Sequence, residues 1–342
     1  MEPDILPFDI EALAGELHEI VPGFSGLHVV EKFNTGQSNP TYRVKADSGV
    51  YVLRAKPPGK LLKSAHQVDR EYRVMKALGE QGVPVPKMLG LAGEDSSIGR
   101  MYFVMELVEG RIFWDPDLSK LDNQERAGIY DAMNETLARL HMVDPEAAGL
   151  GDFGRPGNYF ARQISRWRDQ YIASKTDEIE AMNRLMSWLN DNVAEDDKVA
   201  VVHGDYRLDN MIFAVKEPKV LALIDWELST LGNPLADLSY QCMQWRLPHD
   251  SGFRGLGGLD RKALGIPTEE EYVAKYVERT GAKIDNWTFY LAFSFFRLAS
   301  ILQGVYKRSL DGNASNPERA QVMGKSVPMM AEMAVKIIDG KS

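Results

Sequence analysis

Polar and apolar positions follow two different rhythms along the chain. Val29 to Phe33, Thr41 to Val44 and Gly49 to Ala55 alternate or carry β-branched residues, which predicts half-buried strands. An amphipathic pattern from Asp9 to Ile20 predicts a helix ahead of them, and Pro57, Pro58 and Gly59 close the strand run. Ala65 to Glu80 predicts a second helix stopped by Gly82, and Arg100 to Val108 a strand that ends at Gly110. Beyond that point helical spacing dominates: Asn123 to His141, Tyr159 to Ala173, Asp177 to Val193, Thr268 to Thr280, Trp287 to Tyr306 and Pro317 to Ile338. Two short apolar strand candidates, Lys198 to Val202 and Val220 to Ile224, interrupt the helices. Thr268 with Glu271 reads as a capping box, and Gly281 stands where that helix would end. The expected fold class is α+β, with a small β-rich lobe over residues 1–107 and a larger, mainly helical lobe over 108–342.

Composition narrows the function classes. Hydrophobic residues at 44% and charged residues at 26% are those of a globular protein able to bury a sizeable core. A net charge of -9 argues against nucleic acid as the main partner and favours small molecules. Cys242 is the only cysteine, so neither an internal disulfide nor a cysteine zinc site can form, and a reducing, cytoplasmic setting is expected. The acidic start of the chain, with Glu2, Asp4, Asp9 and Glu11, does not read as a secretory signal. Arg297 and Gln303 interrupt the most apolar segment, which predicts a buried helix and no membrane partner. His18, His28, His66, His141 and His249 show no close pair at metal-ligand spacing, so no zinc is expected.

The chemistry concentrates in Val202-His203-Gly204-Asp205-Tyr206-Arg207-Leu208-Asp209-Asn210-Met211, followed by Asp225 in Leu223-Ile224-Asp225-Trp226. Phosphoryl transfer needs a carboxylate to orient and deprotonate the attacking hydroxyl, and oxygen ligands to hold magnesium against a triphosphate. Asp205 suits the first task; Asn210 and Asp225 suit the second. A lone loop aspartate is usually a turn or cap residue, and only the combination lifts Asp205 above that reading. Asp209 and Arg207 are expected to be structural, His203 to support the loop, Trp167 and Tyr171 to lie in the core, and Cys242 to be a buried small hydrophobe. Gly252 to Gly258 lacks the preceding strand and the glycine spacing of a dinucleotide loop.

His-Gly-Asp with Asn210 five residues after Asp205, then Ile224-Asp225-Trp226, resembles the catalytic and metal-binding loops of aminoglycoside phosphotransferases and their relatives. The likeness extends through Thr35-Gly36-Gln37-Ser38-Asn39-Pro40-Thr41-Tyr42, Tyr51-Val52-Leu53-Arg54 and Gly232-Asn233-Pro234-Leu235-Ala236-Asp237. Tyr159-Phe160-Ala161-Arg162-Gln163, with Trp167 and Tyr171, is closer to the kinase-like domains fused to some acyl-CoA dehydrogenases. The resemblance implies a protein-kinase-like, two-lobed fold and an ATP- and Mg²⁺-dependent kinase acting on a hydroxyl group. It places Arg54 where the family has a phosphate-contacting strand lysine and Glu71 where that lysine has its helix partner. Lys56, on the same strand face, remains a rival to Arg54. Gln37 and Ser38 would help backbone amides hold phosphate, Glu106 to Val108 would form the adenine-facing hinge, and Asp237 would brace the catalytic loop. For the acceptor, the resemblance implies a hydroxyacyl-CoA or related metabolite, with an aminoglycoside or choline-like amino alcohol as the alternative. Arg162, Arg166 and Arg168 on one helix tilt the choice toward an anionic acceptor. A nucleotide-binding scaffold without turnover is the reading from another class.

Overall fold

The computed structural model describes residues 8–33, 39–59, 66–194, 198–312 and 316–341. Helix α1 (Ile10–Ile20) begins at Asp9, whose carboxylate accepts the backbone N–H groups of Glu11 and Ala12. Strands β1 (Leu27–Lys32), β2 (Thr41–Ala46) and β3 (Gly49–Ala55) follow, then helix α2 (Val68–Glu80) and strands β4 (Met88–Ala92) and β5 (Tyr102–Glu106). The five strands form one antiparallel sheet in the order β1-β2-β3-β5-β4. Strand alternation explains its two faces: Tyr42, Val44, Leu53 and Ala55 pack with Leu13 and Leu17 of α1 in one core. Arg54, of opposite parity to Leu53 and Ala55, is left to the other face. Strand β4 was not foreseen, because Met88-Leu89-Gly90-Leu91-Ala92 has no β-branched residue and its strand character comes from pairing with β5.

The chain continues through helices α3 (Asn123–His141), α4 (Tyr159–Ser174) and α5 (Glu180–Asp191), and strands β6 (Ala200–Val202), β7 (Met211–Phe213), β8 (Val220–Leu223) and β9 (Thr230–Gly232). Helices α6 (Leu235–Cys242), α7 (Glu269–Thr280), α8 (Trp287–Leu310), α9 (Pro317–Gly324) and α10 (Val327–Ile338) complete it. Strand β6 pairs with β9 and β7 with β8, both antiparallel. The expected capping box on α7 is present: Glu271 N–H donates to Thr268 Oγ1 at 3.1 Å and Thr268 N–H to Glu271 Oε2 at 2.8 Å. The single helix expected from Pro317 to Ile338 is two helices, because Gly324 ends the first and Pro328 sits in the first turn of the second, where its missing N–H costs nothing. Helix α8 is long and apolar enough to cross a membrane by length and composition, yet 78% of its most apolar window is buried. Phe160 of α4 packs edge-on against its Phe289 and Phe293, with ring centres 5.2 and 5.0 Å apart.

The residues group into two compact units. One comprises residues up to Phe113 together with Glu146–Leu150 and Asp209–Ser229; the other comprises Trp114–Pro145, Gly151–Leu208 and Thr230 onward. The sequence pattern divides the chain once, at 107/108, whereas these units exchange the segment 209–229. Its β7–β8 hairpin joins the first unit through Arg111, whose N–H donates to Phe213 O at 2.7 Å while Phe213 N–H donates to Arg111 O at 2.8 Å. Gly110 permits that approach, since a Cβ there would lie 2.4 Å from the Phe213 carbonyl oxygen.

Candidate active site

In the sheet-bearing unit, β3 and the start of α2 bring Arg54 and Glu71 together. Arg54 Nε lies 3.0 Å from Glu71 Oε2, close in distance although its N–H is not aimed at the carboxylate. Asn39 Nδ2 donates to Glu71 Oε1 at 2.8 Å, and His66 Nδ1 lies 2.9 Å from Asn39 Oδ1. The other end of the guanidinium donates to Asp225: Arg54 Nη2 is 3.1 Å from Asp225 Oδ1 and 3.9 Å from Glu227 Oε2. One cation is thus faced by three carboxylates. Burial pushes the Glu71 carboxyl up to about 7; Arg54 opposes the rise, and the negative charges of Asp225 and Glu227 add to it.

Asp225 follows β8 in the left-handed region, with φ 67°, a conformation that costs a non-glycine residue about 1–3 kcal/mol and is concentrated at functional sites. Asn210 ends the turn before β7, and its carbonyl accepts the Ile224 N–H at 2.9 Å, which ties the two metal-ligand candidates to adjoining ends of one hairpin. Among the described residues no three His, Cys, Asp or Glu side chains cluster as a metal cage. The oxygen donors present, an amide and a carboxylate beside surplus negative charge, suit magnesium completed by phosphate and water oxygens.

The helical unit holds the other loop. Asp237 of α6 is buried and accepts the backbone N–H of His203 at 2.6 Å and of Gly204 at 2.9 Å, with His141 Nε2 3.3 Å from the same carboxylate. Burial alone would raise Asp237; hydrogen bonding and charge from His141, with His203 and the Gly204 N–H, outweigh it and hold its pKa below the usual carboxylate value. Gly204 has φ 82°, which a side chain would strain. Asp205 N–H donates to His203 Nδ1 at 3.2 Å, so His203 orders the loop through its ring as well as its backbone. Asp205 itself is half-buried.

The expected site residues are therefore distributed unevenly. Arg54, Glu71 and Asp225 meet, with Asn210 on the same hairpin. Lys56 does not join them, because its ammonium pairs with the exposed Glu94. The Glu106 carboxylate accepts the Lys87 N–H at 2.9 Å and its own N–H donates to Lys87 O at 3.0 Å, so both are used within the sheet. Val108 lies past the end of the β5 ladder, and its backbone N–H and C=O make no hydrogen bond among the described residues. Gln37 and Ser38 lie outside the described residues.

One reading needs revision. Arg162 is consumed by backbone, donating to the carbonyls of Gly157 and Arg155, and Arg168 pairs with Asp169; only Arg166, exposed and 5.3 Å from the Trp167 ring centre, is left for an acceptor. Glu227, Asn39, Tyr240 and Arg297 were not recognised as neighbours of these loops. Glu227 follows Asp225 at a two-residue spacing, and Arg297 is a charge inside an apolar run; both were visible as signals.

A family profile described as the phosphotransferase enzyme family matches residues 29–272. The chain belongs to that family, and its fold is protein-kinase-like. Acyl-CoA dehydrogenase family member 10 of Mus musculus is 47% identical over 325 residues, 93% of this chain but 30% of that protein. Acyl-CoA dehydrogenase family member 11 of Rattus norvegicus is 42% identical over 344 residues, 98% of this chain and 44% of that protein. The chain thus spans less than half the length of these curated relatives. A crystal structure from Ralstonia eutropha JMP134, provisionally named an aminoglycoside phosphotransferase, superposes with a TM-score of 0.90 at 49% identity, covering 97% of this chain and 99% of the other. Choline kinase from Cryptosporidium parvum shares the fold at 12% identity, with a TM-score of 0.66 and 97% coverage of each chain.

Proposed function

We propose that this phosphotransferase is a small-molecule kinase that uses Mg-ATP to phosphorylate a hydroxyl group. The observation that carries the reading is the single guanidinium of Arg54 held between Glu71 and Asp225, with Asn210 on the same hairpin. Arg54 would bind phosphate oxygens, and Asn210 and Asp225 would hold magnesium, which supplies charge neutralisation of the transferring phosphoryl group when bound. Asp205 would orient the acceptor hydroxyl and take its proton, with its loop fixed by Asp237.

For the acceptor, we favour a hydroxyacyl-CoA. The relatives named as acyl-CoA dehydrogenase family members carry this segment within a longer chain, and a kinase segment joined to an acyl-CoA enzyme would share its substrate class. Arg166, exposed beside Trp167, is compatible with an anionic acceptor. The neighbouring structures named for choline and spectinomycin phosphorylation support amino alcohols or aminoglycosides only through a shared fold, at 12% and 14% identity. An ADP-release screen of hydroxyacyl-CoAs, amino alcohols and aminoglycosides, with Asp205→Asn as blank, tests both parts. Release above the blank with hydroxyacyl-CoAs alone is expected. Release with amino alcohols or aminoglycosides instead would overturn the acceptor class, and release by Asp205→Asn equal to wild type would overturn the assigned chemistry.

A further inference from the structure

Of the three carboxylates around the Arg54 guanidinium, Glu71 is the most buried, and the group that orders it is not a cation. Asn39 is 1% exposed, and its Nδ2 donates to Glu71 Oε1 at 2.8 Å. Arg54 Nε is near the other oxygen without aiming its N–H there. Among the described residues, the aligned hydrogen bond to this carboxylate is therefore the one from Asn39. A buried carboxylate needs such donors, because an unsatisfied oxygen there carries the cost of lost hydration. An amide meets that need without adding negative charge beside Asp225 and Glu227.

Asn39 is fixed from both sides. Its carbonyl accepts the Thr41 hydroxyl at 3.1 Å, Thr41 stands opposite Arg54 in the β2–β3 register, and Ala55 N–H donates to the Pro40 carbonyl at 2.9 Å. The residue is thus carried by the strand pair that carries Arg54, and its side chain reaches across to α2. Because Nδ2 donates to Glu71, Oδ1 is left to accept, and His66 Nδ1 lies 2.9 Å from it. His66 Nδ1 therefore carries the hydrogen in this network. His66 has φ 60°, uncommon for a residue with a side chain, and its carbonyl accepts the Val68 N–H at 3.0 Å where α2 begins. Its ring holds the amide against the flip that would turn Oδ1 toward the carboxylate.

We infer that Asn39 is a positioning residue for the nucleotide: its amide holds Glu71 against Arg54, and His66 holds that amide in its donating orientation. This rests on the reading of Arg54 as the phosphate contact. With Nε beside Glu71 and Nη2 donating to Asp225, Nη1 makes no hydrogen bond among the described residues and is the donor a phosphate oxygen would take. Without the Asn39 donor Glu71 is free to turn, and the guanidinium loses one of the two carboxylates that aim it.

The test measures Mg-ATP affinity by calorimetry on the whole chain, with the melting temperature of each variant alongside. Asn39→Asp keeps the shape, deletes the donor and adds a fourth negative charge; the dissociation constant is expected to rise about tenfold or more. His66→Asn keeps a donor where Nδ1 stands and tolerates φ 60°, so it should bind like wild type. His66→Phe keeps a ring without the donor and should weaken binding several-fold. Lower melting temperatures with unchanged affinity, measured well below melting, would show a purely structural role and overturn the inference. So would an equal loss of affinity in the two His66 variants, whose contrast decides the matter should Asn39→Asp fail to fold. Arg54→Ala separates the inference from the reading beneath it. Weak binding in that variant beside wild-type affinity in Asn39→Asp and His66→Phe overturns the inference alone. Wild-type affinity in Arg54→Ala overturns the phosphate assignment and the inference with it.

Discussion

Arg54 Nε lies 3.0 Å from Oε2 of Glu71, a carboxylate only 2% exposed. Removing Arg54 leaves that carboxylate buried among Asp225 and Glu227 without its cation, and breaking a buried pair in this way costs about 3–5 kcal/mol. Arg54→Ala is therefore expected to melt at lower temperature and to lose ATP-dependent turnover. Lys56→Ala, which frees only the exposed Glu94, should be nearly neutral in both assays. The opposite order would place the phosphate contact at Lys56.

Glu71 sets a pH dependence whose sign follows from its raised pKa. The folded protein holds the Glu71 proton up to about 7, whereas an exposed glutamate releases it near 4.5. Its contribution to stability is thus fully present below 4.5 and is lost as pH rises through about 7. Glu71→Gln removes this dependence. The melting temperature of wild type minus that of the variant is expected to fall between pH 5 and pH 8, and a flat difference would mean that Glu71 titrates as an ordinary carboxylate.

Asp225 is expected to be required for tight Mg-ATP binding. Asp225→Ala deletes the carboxylate but keeps a strained backbone, while Asp225→Gly deletes it and suits φ 67°. Calorimetry should find the same loss of magnesium-supported ATP affinity in both variants. Unchanged affinity in either would remove Asp225 from the metal site.

Asp237→Ala strips the acceptor from two buried backbone N–H groups, those of His203 and Gly204, at about 1–3 kcal/mol each. A fall in melting temperature with a loss of turnover is expected. Because the Asp237 pKa is depressed, the stability it provides is present above the usual carboxylate range and is lost as pH falls. Wild type should therefore lose more stability than the variant on acidification.

Asp205→Asn keeps size and one acceptor but removes charge and basicity. Single-turnover transfer at saturating Mg-ATP is expected to slow about 10²-fold or more with ATP affinity retained. A rate within a few-fold of wild type would show that Asp205 is not the base.

Short-range pattern carried much of the fold. Alternation or β-branched residues placed β1, β2 and β3, the apolar run from Arg100 to Val108 placed β5, the Thr268–Glu271 box opened α7 where expected, and the spacing of Asp205, Asn210 and Asp225 singled out the two loops. Strands β6, β7 and β9 have three residues each, too few to express a period of two, and only β6 lay within an expected strand. Arg54 and Lys56 share a parity, so alternation could not choose between them. Which carboxylate each cation meets is set by contacts distant in sequence, across 171 residues between Arg54 and Asp225 and by the placement of Glu94 beside Lys56. Asn39, Glu227 and Tyr240 became neighbours of the motif residues for the same reason. Local periodicity reports which way a side chain faces, while the partner it meets is decided by the packing of elements far apart in sequence.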